Sequence, residues 1–149
     1  METKEFKHRI SEIVKFHEVD LMGVCNNAVY FNYFEDARIK YLQDLKKKYH
    51  LKEILHGDLF FIMAHNECDY ILPAKLDDEL EIQTKVTEIR KSSFKFEHLV
   101  INKLITEIIA KGNGVLVQIN LITKKSIPLP EEFCKAVKKF DKGVEIINS

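Results

Sequence analysis

The sequence predicts an α+β domain in which an antiparallel sheet covers one long helix. One segment in the first third carries apolar residues three and four positions apart over about 20 residues, as a helix with one buried face does. Four later segments alternate apolar and polar residues with the period of a β-strand. Short polar connections join several of these strands, which favours antiparallel neighbours with one buried face.

The chain begins with a predicted strand and a loop. Residues 6–16, "FKHRISEIVKF", alternate weakly and end in aromatic and β-branched residues. Residues 17–27, "HEVDLMGVCNN", have the composition of a loop and contain Gly23. Asn26 or Asn27 is the predicted N-cap of the helix that follows, because a short amide side chain can accept a hydrogen bond from the first helical turn.

The predicted helix runs from about residue 28 to about residue 47. Its predicted buried face consists of Tyr30, Phe34, Ala37, Tyr41 and Leu45. No other long apolar helix is available to cover one face of a sheet. We therefore expect the sheet to wrap around this helix.

Four strands are predicted at residues 59–71, 79–89, 93–102 and 108–123, with a hairpin between the second and third of them, and we expect these four strands to form a meander. The "GNG" at residues 112–114 predicts either a hairpin turn or, inside a strand, a bulge or a close backbone approach. A short helix is predicted at residues 128–140, with Pro130 near its first turn. In each of the last three strands the alternation places four residues on one face: Leu80, Ile82, Thr84 and Val86; Phe94, Phe96, His98 and Val100; and Val115, Val117, Ile119 and Leu121.

Composition excludes several classes of function. The 149 residues suit one domain spanning 1–149, and 23 basic residues balance 23 acidic ones, which argues against nucleic-acid binding. The three cysteines are far apart and show no zinc-ligand spacing, so we expect no metal site, reduced thiols and a cytoplasmic location. We also expect neither a signal peptide nor a membrane span, because no long apolar run occurs.

Three segments resemble the hotdog-fold thioesterases, in the branch typified by 4-hydroxybenzoyl-CoA thioesterase. The first is "DLMGVCNNAVYFNYFEDAR", similar to that branch's Asp-x-x-Gly, aromatic run and Glu-x-Ala-Arg. The second, "DYILPAKLDDELEIQTKVTEIRKSSFKFEH", resembles the family's central strands, and the third, "SIPLPEEF", its closing segment. The resemblance implies a curved antiparallel sheet around the long helix. It also implies a homodimer joined edge to edge, often doubled to a homotetramer, with the acyl thioester bound at the dimer interface.

The resemblance assigns catalytic roles to Asp20 and Asn27. Thioester hydrolysis builds negative charge on the carbonyl oxygen and needs a nucleophile or an activated water. The backbone N–H groups that open a helix can stabilise that charge, and the same positive end favours an ionised carboxylate nearby. We therefore expect Asp20 to attack or to activate water, with the N–H near Asn27 as the oxyanion site. The structural alternatives are that Asp20 caps a turn with Gly23 and that the asparagines only cap the helix.

Further substrate contacts are expected from Gly23, Asn26 and Tyr30, which adjoin these two residues. Glu35, in the "FEDAR" segment, either orients the site or forms a surface salt bridge with Arg38 or Lys40. A hairpin is predicted after the strand at 79–89, where relatives place basic residues against the phosphates of coenzyme A. Its residues Arg90, Lys91 and Ser92 therefore either bind phosphate or form a solvated turn.

The leading function is hydrolysis of an acyl thioester of coenzyme A or of acyl-carrier protein. No cofactor is expected beyond coenzyme A as part of the substrate. A non-catalytic acyl-CoA-binding protein of the same fold is the alternative, since fold alone does not fix function. A hydratase or dehydratase ranks lower, because the loop at residues 24–27 lacks the histidine that such enzymes pair with an acid.

Overall fold

The computed structural model describes residues 6–147 as an antiparallel sheet curved around one long helix. All four predicted long strands and both predicted helices are present, and their bounds lie within a few residues of those predicted. The elements are β1 (His8–Ile13), α1 (Val29–Tyr49), β2 (Leu59–Tyr70), β3 (Glu79–Ile89), β4 (Ser93–Asn102), β5 (Glu107–Asn120), α2 (Glu131–Phe140) and β6 (Glu145–Ile146).

The strand order is β1-β3-β4-β5-β2, and β6 adds a short parallel pairing to β3. The expected meander is correct for β3, β4 and β5 but wrong for β2, which pairs with β5 at the edge of the sheet. The segment after β2 crosses the end of the sheet: Leu72 N–H donates to the Ile109 carbonyl at 3.1 Å. Both sides of β3 are already paired, by β1 and β4 over most of its length. Consequently β2 is a long edge strand.

Helix α1 packs its predicted face against the concave side of the sheet. Tyr30, Phe34, Ala37, Tyr41 and Leu45 are all buried, as predicted. Burying a large apolar side chain stabilises the fold by about 1.5–3 kcal/mol, so this face is a principal source of stability. In β3 and β4 the four residues predicted to share a face are buried as well.

The predicted N-cap of α1 was wrong. Ala28 occupies the cap position and makes no side-chain hydrogen bond. Asn26 instead forms a turn before the helix, where its Oδ1 accepts from the Ala28 N–H at 3.1 Å. The polar side chain therefore stabilises the approach to the helix, and the backbone amides of the first turn are left to other partners.

The "GNG" segment lies inside β5 and marks a close approach, which decides between its two predicted readings. A Cβ added at Gly112 would lie 2.3 Å from a ring carbon of Phe34, and one at Gly114 would lie 2.4 Å from Cε of Met63. Side chains from α1 and β2 thus rest directly on the β5 backbone. Val115, Val117 and Ile119 point to the outer face, where they are half-buried.

The C-terminal end of the domain is held by Asp141, which follows α2. Its Oδ2 accepts hydrogen bonds from the Tyr41 hydroxyl and, at 3.0 Å, from the Val86 N–H. Val86 lies where the outer edge of β3 is paired by neither β1 nor β6. The Asp141 carboxylate therefore accepts the Val86 N–H hydrogen bond that a neighbouring strand would otherwise accept. No helix in the described part of the chain is long and apolar enough to cross a membrane.

Candidate active site

The loop between β1 and α1 is fixed to the segment that leads into β3. A short 3-10 helix (Phe16–Glu18) precedes it, and the Asn26 N–H donates to the Glu18 carbonyl at 2.8 Å. Val24 forms an isolated antiparallel bridge with Lys75. These contacts close the loop on itself and hold it at the N-terminal end of α1, where the helix dipole is positive.

Asp20 lies at the turn of this loop with its side chain exposed. Its Oδ1 accepts from the N–H of Met22 at 2.8 Å and from the N–H of Val24 at 3.4 Å. The Gly23 N–H donates to the Asp20 carbonyl at 3.0 Å, and Gly23 has φ +77°, which a glycine adopts without strain. The turn-capping role predicted as the structural alternative is therefore present. Within residues 6–147, Oδ2 accepts no hydrogen bond, so one carboxylate oxygen remains available to a ligand.

Asn27 supplies an unpaired amide at the entrance of α1. Its backbone N–H donates to no acceptor in the described residues, while its carbonyl accepts from the Tyr70 hydroxyl at 2.7 Å. The neighbouring Ala28 N–H is occupied by the Asn26 side chain. An exposed N–H at the positive end of a helix of 21 residues is a suitable donor for an oxyanion. Asp20 and Asn27 thus belong to one closed loop.

The structure also identifies supporting residues that sequence reasoning missed. The Tyr33 hydroxyl donates to Glu18 Oε1 at 2.8 Å, and the same oxygen accepts from the Lys15 N–H at 2.9 Å. Burial, followed by this hydrogen bond, raises the pKa of Tyr33, so the hydroxyl stays a neutral donor. Cys25 is buried beside it, with Sγ 3.8 Å from the Tyr33 hydroxyl. Nothing in the local sequence pattern pairs residues 18 and 33; their contact depends on how the loop folds back on α1.

Tyr30 and Glu35 adjoin the site in different ways. Tyr30 is only 2% exposed, and its ring makes edge contacts with Tyr33 and Tyr70. It supports the entrance of α1 by packing, and its contact with substrate stays a prediction. Glu35 is exposed, and its Oε2 lies 3.6 Å from Nη2 of Arg38, so the salt bridge that was its structural alternative is formed.

The predicted phosphate-binding hairpin lies far from Asp20 within one chain. Arg90, Lys91 and Ser92 follow the last residue of β3, whereas the Asp20 loop adjoins the first. A strand of 11 residues spans roughly 33 Å when extended. Arg90 pairs with Glu88 at 3.6 Å, and the carbonyls of Lys91 and Ser92 accept from the backbone elsewhere in the fold. A site that uses both Asp20 and the hairpin at residues 90–92 would require two chains.

No group of three or more histidine, cysteine, aspartate or glutamate side chains within residues 6–147 is arranged to hold a metal ion. His98, the most deeply buried histidine, stacks on Phe34 and shares a hydrogen bond of 2.9 Å between its Nδ1 and Thr84 Oγ1. Burial, with a smaller contribution from the Arg38 charge, lowers the pKa of His98 to about 3. The ring is therefore neutral and part of the core, as its position on a strand suggested.

A long helix wrapped by a curved antiparallel sheet is the architecture of the hotdog fold. Comparison with known proteins agrees with this assignment. A family model described as "Thioesterase-like superfamily" matches residues 14–137. The chain is 29% identical over 120 residues to "Acyl-CoA thioesterase YbgC" of Haemophilus influenzae, covering 80% of this chain and 85% of the relative.

Solved structures give the same result. A Thermus thermophilus thioesterase complexed with coenzyme A and Zn is 32% identical, with a TM-score of 0.75 and coverage of 93% of this chain and 97% of that one. A 1,4-dihydroxy-2-naphthoyl-CoA thioesterase from Synechocystis shares the fold at 20% identity, with a TM-score of 0.75 and coverage of 90% and 97%. The chain belongs to the thioesterase-like superfamily and is a thioesterase with the hotdog fold.

Proposed function

We propose that this protein hydrolyses acyl-CoA thioesters with Asp20 as general base or nucleophile and the Asn27 amide as oxyanion donor. The observation that carries the proposal is their joint position: an exposed carboxylate and an unpaired helix-entrance N–H in one closed loop. Coenzyme A as the carrier is supported by the acyl-CoA thioesterase name of the Haemophilus relative and by the coenzyme A complex of the Thermus structure.

The chemistry follows from these two groups. In the general-base route, the Asp20 carboxylate takes a proton from water while the water oxygen bonds to the thioester carbonyl carbon. The carbonyl oxygen becomes negative and accepts a hydrogen bond from the Asn27 N–H. Collapse of this intermediate breaks the carbon–sulfur bond, and the thiolate of coenzyme A takes up a proton. In the nucleophilic route, Asp20 forms a mixed anhydride that water then hydrolyses to the free acid.

We further propose that the working unit is a homo-oligomer joined along the edge of β2. That strand is long, lies at the end of the sheet order and has one side without a partner strand among the described residues. Within one chain, Asp20 lies near one end of β3, and Arg90, Lys91 and Ser92 lie at the other end. This separation supports a site shared between chains. The hairpin of a second copy would supply the cations for the nucleotide phosphates of coenzyme A.

A pair of substitutions at Asp20 tests the catalytic role against the turn-capping role. Asp20→Asn keeps Oδ1 as an acceptor for the Met22 and Val24 amides, so we expect the free energy of unfolding to change by less than about 0.5 kcal/mol. Loss of the negative charge should lower kcat for hydrolysis of a panel of acyl-CoA esters at least about 100-fold. Asp20→Ala removes both functions and should also destabilise the fold by about 1 kcal/mol.

A matched control is Asp78→Asn, because Asp78 Oδ2 caps a neighbouring turn by accepting from the Lys75 N–H at 2.8 Å. We expect this variant to retain activity. Full activity in Asp20→Asn would show that Asp20 only holds the loop. Tight acyl-CoA binding without turnover in the unsubstituted protein would favour the non-catalytic binding protein instead.

A further inference from the structure

Two adjoining cavities lie at the edge of the sheet formed by β1, where the chain returns from α2 to β3. Their volumes are about 280 Å³ and about 220 Å³. Both cavities are lined by Lys7 and Phe140, so these two side chains stand between them. We call the two cavities together the lysine groove. Their joint size falls in the range of small-molecule sites, roughly 300–1,000 Å³.

The walls of the lysine groove are largely apolar. Val86 and Val144 line the larger cavity. Tyr41 and Leu45 line the smaller one. The Phe140 ring borders both cavities and makes an edge contact with Tyr41, with ring centroids 5.5 Å apart. A ligand that fills the groove therefore needs an apolar or aromatic part.

Three exposed lysines line the groove without counter-ions. Lys7, Lys48 and Lys142 form no ion pair with a carboxylate among residues 6–147. Nζ of Lys7 lies 6.0 Å and Nζ of Lys48 lies 5.4 Å from the centroid of the Phe140 ring, so the two ammonium groups are at most about 11 Å apart. The negative face of an aromatic ring attracts cations, which favours these positions of both side chains. Lys85 adds a fourth cation to the lining of the larger cavity.

The acidic side chains that line the groove, Asp44 and Asp141, are already engaged within the fold. Asp44 Oδ2 lies 2.9 Å from His8 Nε2, and its Oδ1 lies 3.2 Å from Lys40 Nζ. Asp141 is buried, with two hydrogen bonds to its Oδ2 and no accessible surface at its Oδ1. The C-terminal ends of α1 and α2 add only about half a negative charge each. The accessible charge of the groove is therefore positive.

The combination of positive charge and apolar surface selects the class of ligand. An ammonium group binds phosphate as a point charge, and cations at several points of the groove favour an anion with more than one phosphate. The apolar walls beside the Phe140 ring suit a flat ring system such as a nucleobase. Inorganic phosphate would satisfy the cations but would leave the apolar walls in contact with water. A nucleoside polyphosphate meets both requirements.

The lysine groove is remote from the proposed active site within one chain. Lys48 is the penultimate residue of α1, whereas Asn27 precedes the first turn of this helix. The positions between them correspond to a rise of roughly 31 Å along the helix axis. A ligand in the groove therefore leaves the thioester position of the same chain free.

We propose that the lysine groove binds a nucleoside polyphosphate as a second ligand, separate from the thioester. This inference goes beyond the proposed function and does not depend on it. Lys7, Lys48 and Lys142 contact the phosphates, and the Phe140 ring borders the base. Two sources share this chemistry: a free nucleotide such as ATP or ADP, and the nucleotide part of free coenzyme A.

Calorimetric titrations with ATP, ADP, adenosine and inorganic triphosphate test the site. We expect ATP and ADP to bind at least about 10-fold more tightly than adenosine or triphosphate, because only the nucleotides meet both the cations and the apolar walls. The groove variant Lys7→Met/Lys48→Met should weaken nucleotide binding at least about 10-fold. The matched control, Lys47→Met/Lys139→Met, removes the same charge from exposed lysines that line neither cavity and should change binding less than about twofold. All four side chains are exposed, so both variants should keep the Tm of the unsubstituted protein.

Free coenzyme A, titrated in the same way, distinguishes the two sources. If the groove variant loses more affinity for coenzyme A than for ATP, coenzyme A is the occupant, and the reverse identifies a free nucleotide; either result supports the site. Equal weakening in the groove variant and its control would assign binding to diffuse charge and overturn the proposal. No binding of any nucleotide at about 1 mM, or triphosphate binding as tightly as ATP, would overturn it as well. Nucleotide binding that is unchanged in the groove variant and competes with acyl-CoA would place the ligand in the active site, which also contradicts the proposal.

Discussion

Gly112→Ala should destabilise the fold strongly, because the Phe34 ring of α1 lies directly against the β5 backbone at this position. The new Cβ would lie 2.3 and 2.4 Å from two ring carbons of Phe34 and 3.1 Å from the Glu67 carbonyl oxygen. The ring would have to retreat by more than about 1 Å to reach ordinary contact distance. It has no space to do so, since it also stacks on His98 with ring centroids 4.6 Å apart.

The expected cost of Gly112→Ala is about 3 kcal/mol, the upper part of the range for overpacking a well-filled core. For a chain of this size that corresponds to a fall in Tm of roughly 6–12 °C. Urea unfolding at fixed protein concentration gives the free energy, and thermal unfolding gives the shift in Tm. The matched control is Gly143→Ala, because a Cβ at Gly143 meets no atom within 4 Å.

A double-mutant cycle with Phe34→Ala tests the assigned cause. Phe34→Ala alone should cost about 3–5 kcal/mol through the cavity it leaves. In that background Gly112→Ala should cost little, because the clashing ring is gone, and the coupling between the two sites should exceed about 1 kcal/mol. Additive costs, or a cost below about 0.5 kcal/mol for Gly112→Ala alone, would refute the close approach as the reason for glycine at this position.

Two further predictions concern a partly buried acid, Glu12, and a buried one, Asp141. The pKa of Glu12 is raised to about 7, first by burial and then by its hydrogen bond with Asp36, so the folded state keeps a proton that the unfolded state loses. The free energy of unfolding should therefore fall as the pH rises from about 4.5 to about 7. Urea unfolding measured across this pH range should show a smaller fall in Glu12→Gln than in the unsubstituted protein. An unchanged fall in the variant would exclude Glu12 as the source. Tyr41→Phe removes a donor from buried Asp141 and should cost about 1–3 kcal/mol in urea unfolding. A neutral effect would mean that the Val86 amide alone satisfies this carboxylate.

The secondary structure could be predicted because its signals are local. The buried face of α1, from Tyr30 to Leu45, follows from the helical period, and the inward faces of β3 and β4 follow from strict alternation. The same local logic misplaced the N-cap. Asn26 has the right side chain for capping, but it lies two residues before the cap residue Ala28, whose N–H it accepts from.

The candidate site could be predicted only in part. The resemblance placed Asp20 and Asn27 at the helix entrance, and the structure brings both into one loop. The contact of Glu18 with Tyr33 and that of Tyr70 with Asn27 could not be read from spacing, because each joins segments whose distance depends on the folded loop. The separation of Arg90 from Asp20 likewise depends on the folded chain, in which the length of β3 lies between them.

The sequence by itself determined which segments are helix and which are strand, and which residues share the buried faces of α1, β3 and β4, because these properties depend on residues within a few positions of one another. Only the tertiary structure decided that β2 leaves the meander to pair with β5 and become the edge of the sheet. Strand pairing depends on contacts between residues far apart in the chain, and the local period carries no information about the choice of neighbour. That choice sets the end of β2 beside the entrance of α1, where the Tyr70 hydroxyl donates to the Asn27 carbonyl at 2.7 Å.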